Sequence, residues 1–166
     1  MTTASRTAVA LRDGRPVTIT PAGAADAAEI ARLLDAVADP RRDTFAAATD
    51  RSPGGPARGA IVARDDHAAI AGAAGWVALD ERVAECVGAV DPGATEQGLG
   101  TLLLRRCAEQ AGAAGLRVLR VHLHPGARAT AAMLRDSGLH TSWDLDHPVA
   151  IVDVVIDAGR PGWATP

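Results

Sequence analysis

A pair of glycines, Gly98 and Gly100, lies at the start of a segment with helical periodicity. Glycine lets the backbone turn so that several amide N–H groups point in one direction at the positive end of a helix, and this arrangement binds phosphate or pyrophosphate. A tight strand-to-helix turn also uses glycine, so the pair alone leaves a structural role open. Two other phosphate motifs are excluded: no Gly-Lys-Ser/Thr is present, and Leu103 stands where a dinucleotide fingerprint has its third glycine.

Glu85 is the residue best suited to proton transfer. It lies on a predicted strand, on the same face as Val87 and Ala89. A carboxylate on a mostly apolar strand is costly unless it is paired, solvated or functional. A partly desolvated glutamate can take a proton from an amine, whose pKa for lysine is about 10.4. The alternative is a solvated edge-strand glutamate paired with an arginine.

Other residues with reactive side chains have weaker patterns. His122 and His124 share one face of a predicted strand and could relay a proton or simply line a polar cleft, and no third ligand is evident, so no metal site is predicted. Cys86 and Cys107 are expected to be small buried hydrophobes in a reducing compartment. Three arginines could meet phosphates or belong to solvated helix faces: Arg105, Arg106 and Arg128.

The elements that must position these residues follow one another in a mixed order. The first half predicts a hairpin or single strand over 8–20, a helix capped by the Asp26 side chain and reaching Val37, and a partly helical, mobile connector over 40–58. Strands follow at 59–64, 68–79 and 82–90. The second half predicts helices over 99–112 and 127–137 and strands at 117–123 and 149–156, with Leu139–Trp143 left between the second helix and the last strand.

This order implies an α/β (α+β) fold. A strand–helix–strand crossover between hairpins predicts a mixed, mostly antiparallel, twisted sheet of about six or seven strands, flanked by about four helices. Residues 1–166 are expected to form a single domain, with loose tails at 1–7 and 157–166.

The charge and hydropathy of the sequence limit the kinds of partner that the protein could bind. The net charge of −3 excludes attraction of the whole molecule to nucleic acid or an anionic membrane. All 17 basic residues are arginine, and there is no lysine. No apolar run approaches the length of about 18 residues that a membrane span needs. We therefore expect a cytoplasmic protein with neither nucleic acid nor membrane as partner.

Several stretches resemble one family. Val90–Asp91–Pro92 and Gln97–Gly98–Leu99–Gly100–Thr101 resemble the central motif of the GNAT acetyltransferases. Leu11–Arg12–Asp13–Gly14, Ala84–Glu85 and the stretch from Met133 to Leu139 are similar to the protein-lysine acetyltransferases of actinobacteria. The resemblance spans about residues 8–156.

The resemblance implies an acetyl-CoA-dependent N-acetyltransferase of the GNAT fold, with strands splayed near residues 88 and 122 at the cofactor site. Glu85 would be the general base for direct transfer to an amine, without a covalent acyl-enzyme. The acceptor would be a protein lysine, with a small-molecule amine as second choice. The implied cofactor-binding residues are Val87, Ala89, Val90, Thr95, Glu96, Gln97, Gly98, Leu99, Gly100 and Thr101.

The chain also departs from the family pattern. Thr95 stands where Gln or Arg is usual, Gln97 replaces the commoner Arg, and Ala127 lies near the position of a frequent Asn. No tyrosine is available to protonate the leaving thiolate. These departures support a second hypothesis, a catalytically degenerate domain that binds CoA or a protein partner. Monomer and homodimer both remain open.

Overall fold

A computed structural model describes residues 6–37, 39–50 and 52–157. Its strands form a single sheet of eight, in the spatial order β1-β2-β3-β4-β5-β6-β8-β7. The strands are β1 (Thr7–Ala10), β2 (Pro16–Pro21), β3 (Arg58–Arg64), β4 (Ile70–Ala78), β5 (Val83–Val90), β6 (Val118–Leu123), β7 (Thr141–Asp144) and β8 (Ala150–Val155). Most of the predicted tail at 157–166 lies outside the described residues, whereas Thr7 already belongs to β1.

The sheet is mixed and mostly antiparallel, as predicted, but it has eight strands and not six or seven. The strand beyond that number is β7, in a segment for which no strand was predicted. The segment over 8–20 folds as the hairpin alternative, because Leu11–Arg15 turns back through Gly14 at φ 84°. Every neighbouring pair is antiparallel except β5 and β6.

Four α-helices flank the sheet: α1 (Ala27–Ala36), α2 (Arg42–Thr49), α3 (Leu99–Ala113) and α4 (Arg128–Asp136). Helices α1 and α2 pack on β4 and β5, and the apolar side chains between them include Phe45 and Val87. Helix α3 packs on the other face of β3 to β6, over a second cluster that includes Leu103 and Leu119. The sheet is therefore covered on both faces around β5.

Asp26 differs from its predicted role as the side-chain cap of α1. It stands at the N-cap position, but its carboxylate accepts a hydrogen bond from Gly23 N (2.8 Å) and pairs with Arg64 (2.6 Å). A short 3-10 turn, Ala24–Asp26, precedes α1 and directs the carboxylate toward β3 instead. The residue therefore fixes α1 to the sheet.

The parallel pairing between β5 and β6 ends part-way along the two strands. Strands β5 and β6 pair from Val83 and Val118 as far as Cys86 and Val121. Beyond that point β5 continues to pair with β4 up to Val90, but no described strand pairs with its other edge. The two strands thus diverge close to residues 88 and 122, as the sequence resemblance implied.

Candidate functional site

The loop after β5 is built to present backbone amides. Asp91 Oδ1 accepts a hydrogen bond from Gly93 N (2.8 Å), and Thr95 Oγ1 donates to Asp91 O (3.2 Å), which together close a short 3-10 turn. Glu96 and Gly98 then adopt left-handed φ angles of 67° and 85°. Helix α3 follows at once, so the loop delivers the chain directly to the positive end of a helix.

Within the described ranges, no side chain caps the first amides of α3. Its N-cap is Gly98, which has no side chain to accept a hydrogen bond, and the first turn has no acidic residue. A Cβ on Gly100 would lie in ordinary contact distance, 3.5 Å from Met133 Cγ and 3.7 Å from Val90 Cγ2. The amides at the helix start are therefore available to an anionic ligand.

Gly88 exposes the middle of β5 beside the opening. Its neighbours Val87 and Ala89 are buried under α1 and α2, whereas Gly88 itself is exposed. The exposed glycine lies next to the edge of β5 that β6 leaves unpaired. An extended ligand could therefore lie along this edge and make strand-like hydrogen bonds to β5.

Glu85 faces His122 across the two strands. It lies one residue before the last paired position, Cys86, and its side chain is 21% exposed. Glu85 Oε1 lies 3.4 Å from His122 Nδ1. That nitrogen is buried and makes no hydrogen bond within the described part of the chain. The pair is thus partly desolvated, and it has an unsatisfied polar atom next to the opening.

A second polar group, which sequence reasoning missed, comes from the connector between α1 and α2. Asp39 and Arg41 form a nearly buried ion pair (2.8 Å), and Arg41 Nη1 reaches Cys86 O (3.4 Å). Burial opposes ionisation of Asp39, but hydrogen bonds from Arg41, helped by nearby His124, outweigh it and lower the pKa of Asp39. The sequence predicted only a partly helical connector here, because 45 residues separate Arg41 from the Cys86 carbonyl that it meets.

The thiols behind the site are shielded. Cys86 and Cys107 are both free and buried. The neighbouring Cys86 thiol, together with complete burial, raises the pKa of Cys107 well above its ordinary value. Neither thiol is suited to nucleophilic attack, in keeping with the prediction that both are small buried hydrophobes.

The β1–β2 turn is attached to the glycine loop. Arg12 N donates to Gln97 O (3.1 Å), and Arg15 Nη2 donates to Gly93 O (2.9 Å). Arg15 is itself held by the exposed Asp13, whose pKa is lowered first by a hydrogen bond from the Arg15 backbone N–H. The Leu11–Gly14 stretch was noted in the sequence, but not that it would contact the loop.

The predicted catalytic and cofactor-binding residues follow one another along the chain, from β5 through the glycine loop to the first turn of α3. The Leu99 side chain is fully buried, so only its backbone can meet a ligand. The residues in this stretch are Glu85, Val87, Ala89, Val90, Thr95, Glu96, Gln97, Gly98, Leu99, Gly100 and Thr101. Of the arginines considered in the sequence, Arg105 bonds Ser137 O (2.9 Å) and Arg106 pairs with Glu109 (2.8 Å).

Within the described residues, no group of three or more His, Cys, Asp or Glu side chains could hold a metal ion. In the same part of the chain, no helix is both long and apolar enough to span a membrane.

An amide-rich loop at a helix start, next to a splayed pair of parallel strands, defines a domain that binds an anionic, extended cofactor. The model of the acetyltransferase (GNAT) family matches residues 27–139. The chain therefore belongs to the GNAT family, and it is an acetyltransferase with acetyl-CoA as its cofactor. The residues present fit that cofactor, since the uncapped amides of α3 suit its phosphates and the open edge of β5 suits its extended arm.

Solved structures show the same fold. The GNAT domain of S. lividans PAT is 16% identical, with a TM-score of 0.73, over 90% of this chain and 96% of that one. A cAMP-binding acyltransferase from Mycobacterium smegmatis is 16% identical (TM-score 0.68), and the match covers 92% of this chain but only 48% of that one. A GNAT superfamily phosphinothricin acetyltransferase from Sinorhizobium meliloti, in complex with AcCoA, is 20% identical (TM-score 0.62), covering 84% and 86%. No curated protein sequence matches.

Proposed function

We propose that this acetyltransferase transfers the acetyl group of acetyl-CoA to a primary amine, in the first place a protein lysine, with Glu85 as general base. The observation that carries the proposal is the partly desolvated Glu85 carboxylate beside the opening between β5 and β6. The resemblance to the actinobacterial protein-lysine acetyltransferases supports a lysine acceptor. All eight strands belong to one sheet, which supports one domain over residues 1–166.

The chemistry asks little of the protein beyond positioning and proton transfer. The cofactor supplies an activated acetyl group as a thioester. Glu85 takes a proton from the acceptor ammonium, since only the neutral amine can attack. The neutral amine would attack the thioester carbonyl, so that the C–N bond forms as the C–S bond breaks. The excess proton on nitrogen would pass to the departing CoA thiolate, and because the thiol pKa is about 8.5 no separate acid catalyst is needed. Backbone N–H groups around Val87–Ala89 would polarise the acetyl carbonyl.

A small-molecule amine is the second acceptor class. One structural neighbour with the same fold is named as a phosphinothricin acetyltransferase. A small polar amine could equally contact the polar side chains close to the opening between β5 and β6, which are Glu85, His122 and the Asp39–Arg41 pair. The two free cysteines support a cytoplasmic location for this protein, whichever acceptor it uses.

The test compares Glu85→Gln with Glu81→Gln, an exposed glutamate in the β4–β5 turn. Release of CoA thiol is measured with lysine-containing peptides and with small amines. Because a general base contributes about 100-fold or more, Glu85→Gln should lower kcat by at least that factor and leave the Kd for acetyl-CoA unchanged. The control should match the wild type.

An unchanged kcat in Glu85→Gln would remove Glu85 from the mechanism. If the wild type binds acetyl-CoA but acetylates no amine, the chain is the catalytically degenerate binding module, and the enzymatic proposal fails. Thr95, Gln97 and Ala127 would then be the substitutions to revert, since they are the departures from the family pattern.

A further inference from the structure

Arg12 stands at the cofactor loop although it belongs to a different element. It lies in the turn between β1 and β2, outside the residues matched by the family model. Its backbone N–H donates to Gln97 O (3.1 Å), and Arg15 fixes the same turn to Gly93 O (2.9 Å). The two contacts hold the hairpin turn against the loop on both sides of Glu96.

The Arg12 side chain runs across Gly98. A Cβ built on Gly98 would lie 3.5 Å from Arg12 Nε and 3.8 Å from Arg12 Cγ. The guanidinium is exposed and makes no ion pair with any described residue. Most arginines near the site differ in this respect, as Arg15 is paired with Asp13 and Arg41 with Asp39.

This placement sets a cation beside the positive end of α3. A cation is unfavourable near a helix N-terminus, where anions are favoured. Helix α3 has neither a capping side chain nor an acidic residue in its first turn. The exposed Glu96 lies in the same loop, but among the described residues it forms no ion pair with Arg12. An anion bound between Arg12 and the start of α3 would satisfy both, because arginine recognises phosphate oxygens through charge-assisted hydrogen bonds.

We propose that Arg12 is a phosphate-binding residue for acetyl-CoA, supplied by the β1–β2 hairpin and acting together with the amides of α3. This inference rests on the proposed function, in that the ligand is the same cofactor. It assigns to the hairpin a role in cofactor affinity. The thioester end of the cofactor, which carries no phosphate and would lie along β5, would bind without contacting Arg12.

The experiment measures binding by calorimetry for two ligands, acetyl-CoA and S-acetylpantetheine, which carries the thioester but no phosphate. The variants are Arg12→Gln, Arg12→Lys and, as matched control, Arg82→Gln, an exposed arginine in the β4–β5 turn. Melting curves establish that each variant is folded.

Arg12→Gln should raise the Kd for acetyl-CoA about tenfold, the effect of losing one hydrogen bond to a charged group. It should leave the Kd for S-acetylpantetheine unchanged, and Arg12→Lys should recover part of the lost affinity. The salt dependence of acetyl-CoA binding should also become weaker in Arg12→Gln. Arg82→Gln should behave as wild type with both ligands.

Equal affinity of wild type and Arg12→Gln for acetyl-CoA would overturn the inference while leaving the proposed function intact. Equal weakening for both ligands would overturn it too, because the hairpin would then act only through the shape of the loop. If the wild type binds acetyl-CoA but has no transferase activity, the proposed function fails and the Arg12 comparison still stands.

Discussion

Glu96 holds a backbone conformation that its side chain disfavours. Its φ of 67° is in the left-handed region, which costs a residue other than glycine about 1–2 kcal/mol. Gly98, two residues on, has a similar φ at no such cost. Strain of this kind persists where the surrounding structure imposes it, and here the 3-10 turn and α3 fix both ends of the loop.

Glu96→Gly should strengthen cofactor binding. The change removes an exposed carboxylate from the phosphate loop and relieves the left-handed strain, while the greater freedom of glycine in the unfolded chain offsets about 0.5–1 kcal/mol of that relief. We expect the KM for acetyl-CoA to fall several-fold with a small change in Tm. Ala68→Gly is the control, since Ala68 also has a left-handed φ (65°) but lies in the β3–β4 turn. A lower KM in both variants would show that neither the charge of Glu96 nor its position in the phosphate loop causes the effect.

The shielded thiols make a second residue-scale prediction. Because Cys86 and Cys107 are buried, and the pKa of Cys107 is raised first by its Cys86 neighbour and then by burial, the reactive thiolate is scarce at neutral pH. The native protein should release no chromophore with a disulfide reagent at pH 8, and two equivalents after denaturation. Fast reaction of the native protein would contradict this.

Asp39 gives a pH dependence with a definite sign. Its pKa in the folded protein is lowered, despite burial, by hydrogen bonds from Arg41. The ionised carboxylate therefore stabilises the native state above the ordinary pKa of 3.8, and this contribution is lost as pH falls through the lowered value. Asp39→Asn should lower the free energy of unfolding by about 2 kcal/mol at pH 7.

Urea unfolding at pH 7 and pH 3 provides the measurement. The difference between wild type and Asp39→Asn should be full at pH 7 and smaller at pH 3, where protonated Asp39 resembles asparagine. A difference that grows on acidification would reverse the assigned direction of the shift.

At the scale of elements, α1 is attached to the sheet by one small network. Glu29 accepts a hydrogen bond from Ile70 N (2.8 Å) and pairs with Arg64 (3.0 Å), which also pairs with Asp26. The Ile70 N–H is the main cause of the lowered pKa of Glu29. These contacts join α1 to the β3–β4 hairpin.

Removing Arg64 should loosen α1. Arg64→Met removes the arginine that pairs with the Asp26 and Glu29 carboxylates. We expect a loss of about 1 kcal/mol in the free energy of unfolding. Arg42→Met is the matched control, because Arg42 forms a more exposed pair with Asp35 and should contribute less than about 0.5 kcal/mol. Equal losses in the two variants would show that the network has no special role.

The elements themselves could be predicted from the sequence because their signals are local. The short apolar run over 59–64, bounded by a polar turn, and the apolar stripe of α3 placed both elements correctly, and the glycine loop lies at the predicted position. Strand β1 was only an alternative to a single strand, since a hairpin depends on pairing. Strand β7 was not predicted, because it has four residues and pairs only with β8 among the described strands. The Asp39–Arg41–Cys86 contact could not be predicted, because 45 residues separate Arg41 from the carbonyl it meets.

The whole sheet consists of two parts joined at a short seam. Strands β1 to β5 form one antiparallel part, and β6, β8 and β7 form the other. Among the described residues, the strand pairing between the two parts runs from Val83 to Cys86 of β5, while α3 contacts both parts on one face. A cofactor in the opening would extend the seam by contacting β5 beyond Cys86.

Acetyl-CoA should therefore raise the Tm. A ligand that binds only the native state at 100 times its Kd adds about 2.7 kcal/mol to the free energy of unfolding. Thermal melting with increasing acetyl-CoA should show a Tm that rises with concentration, whereas adenosine, which lacks the phosphates and the arm, serves as the control. A Tm independent of acetyl-CoA would argue against binding at the seam.

A seam that its own cofactor completes has a consequence for the lifetime of the protein. Proteases cleave chains that open transiently, and the open fraction falls as ligand stabilises the closed form. With acetyl-CoA abundant, the chain would resist degradation; with acetyl-CoA depleted, it would be cleared sooner. The amount of this acetyltransferase would then follow the supply of the acetyl groups it transfers, without any separate regulator.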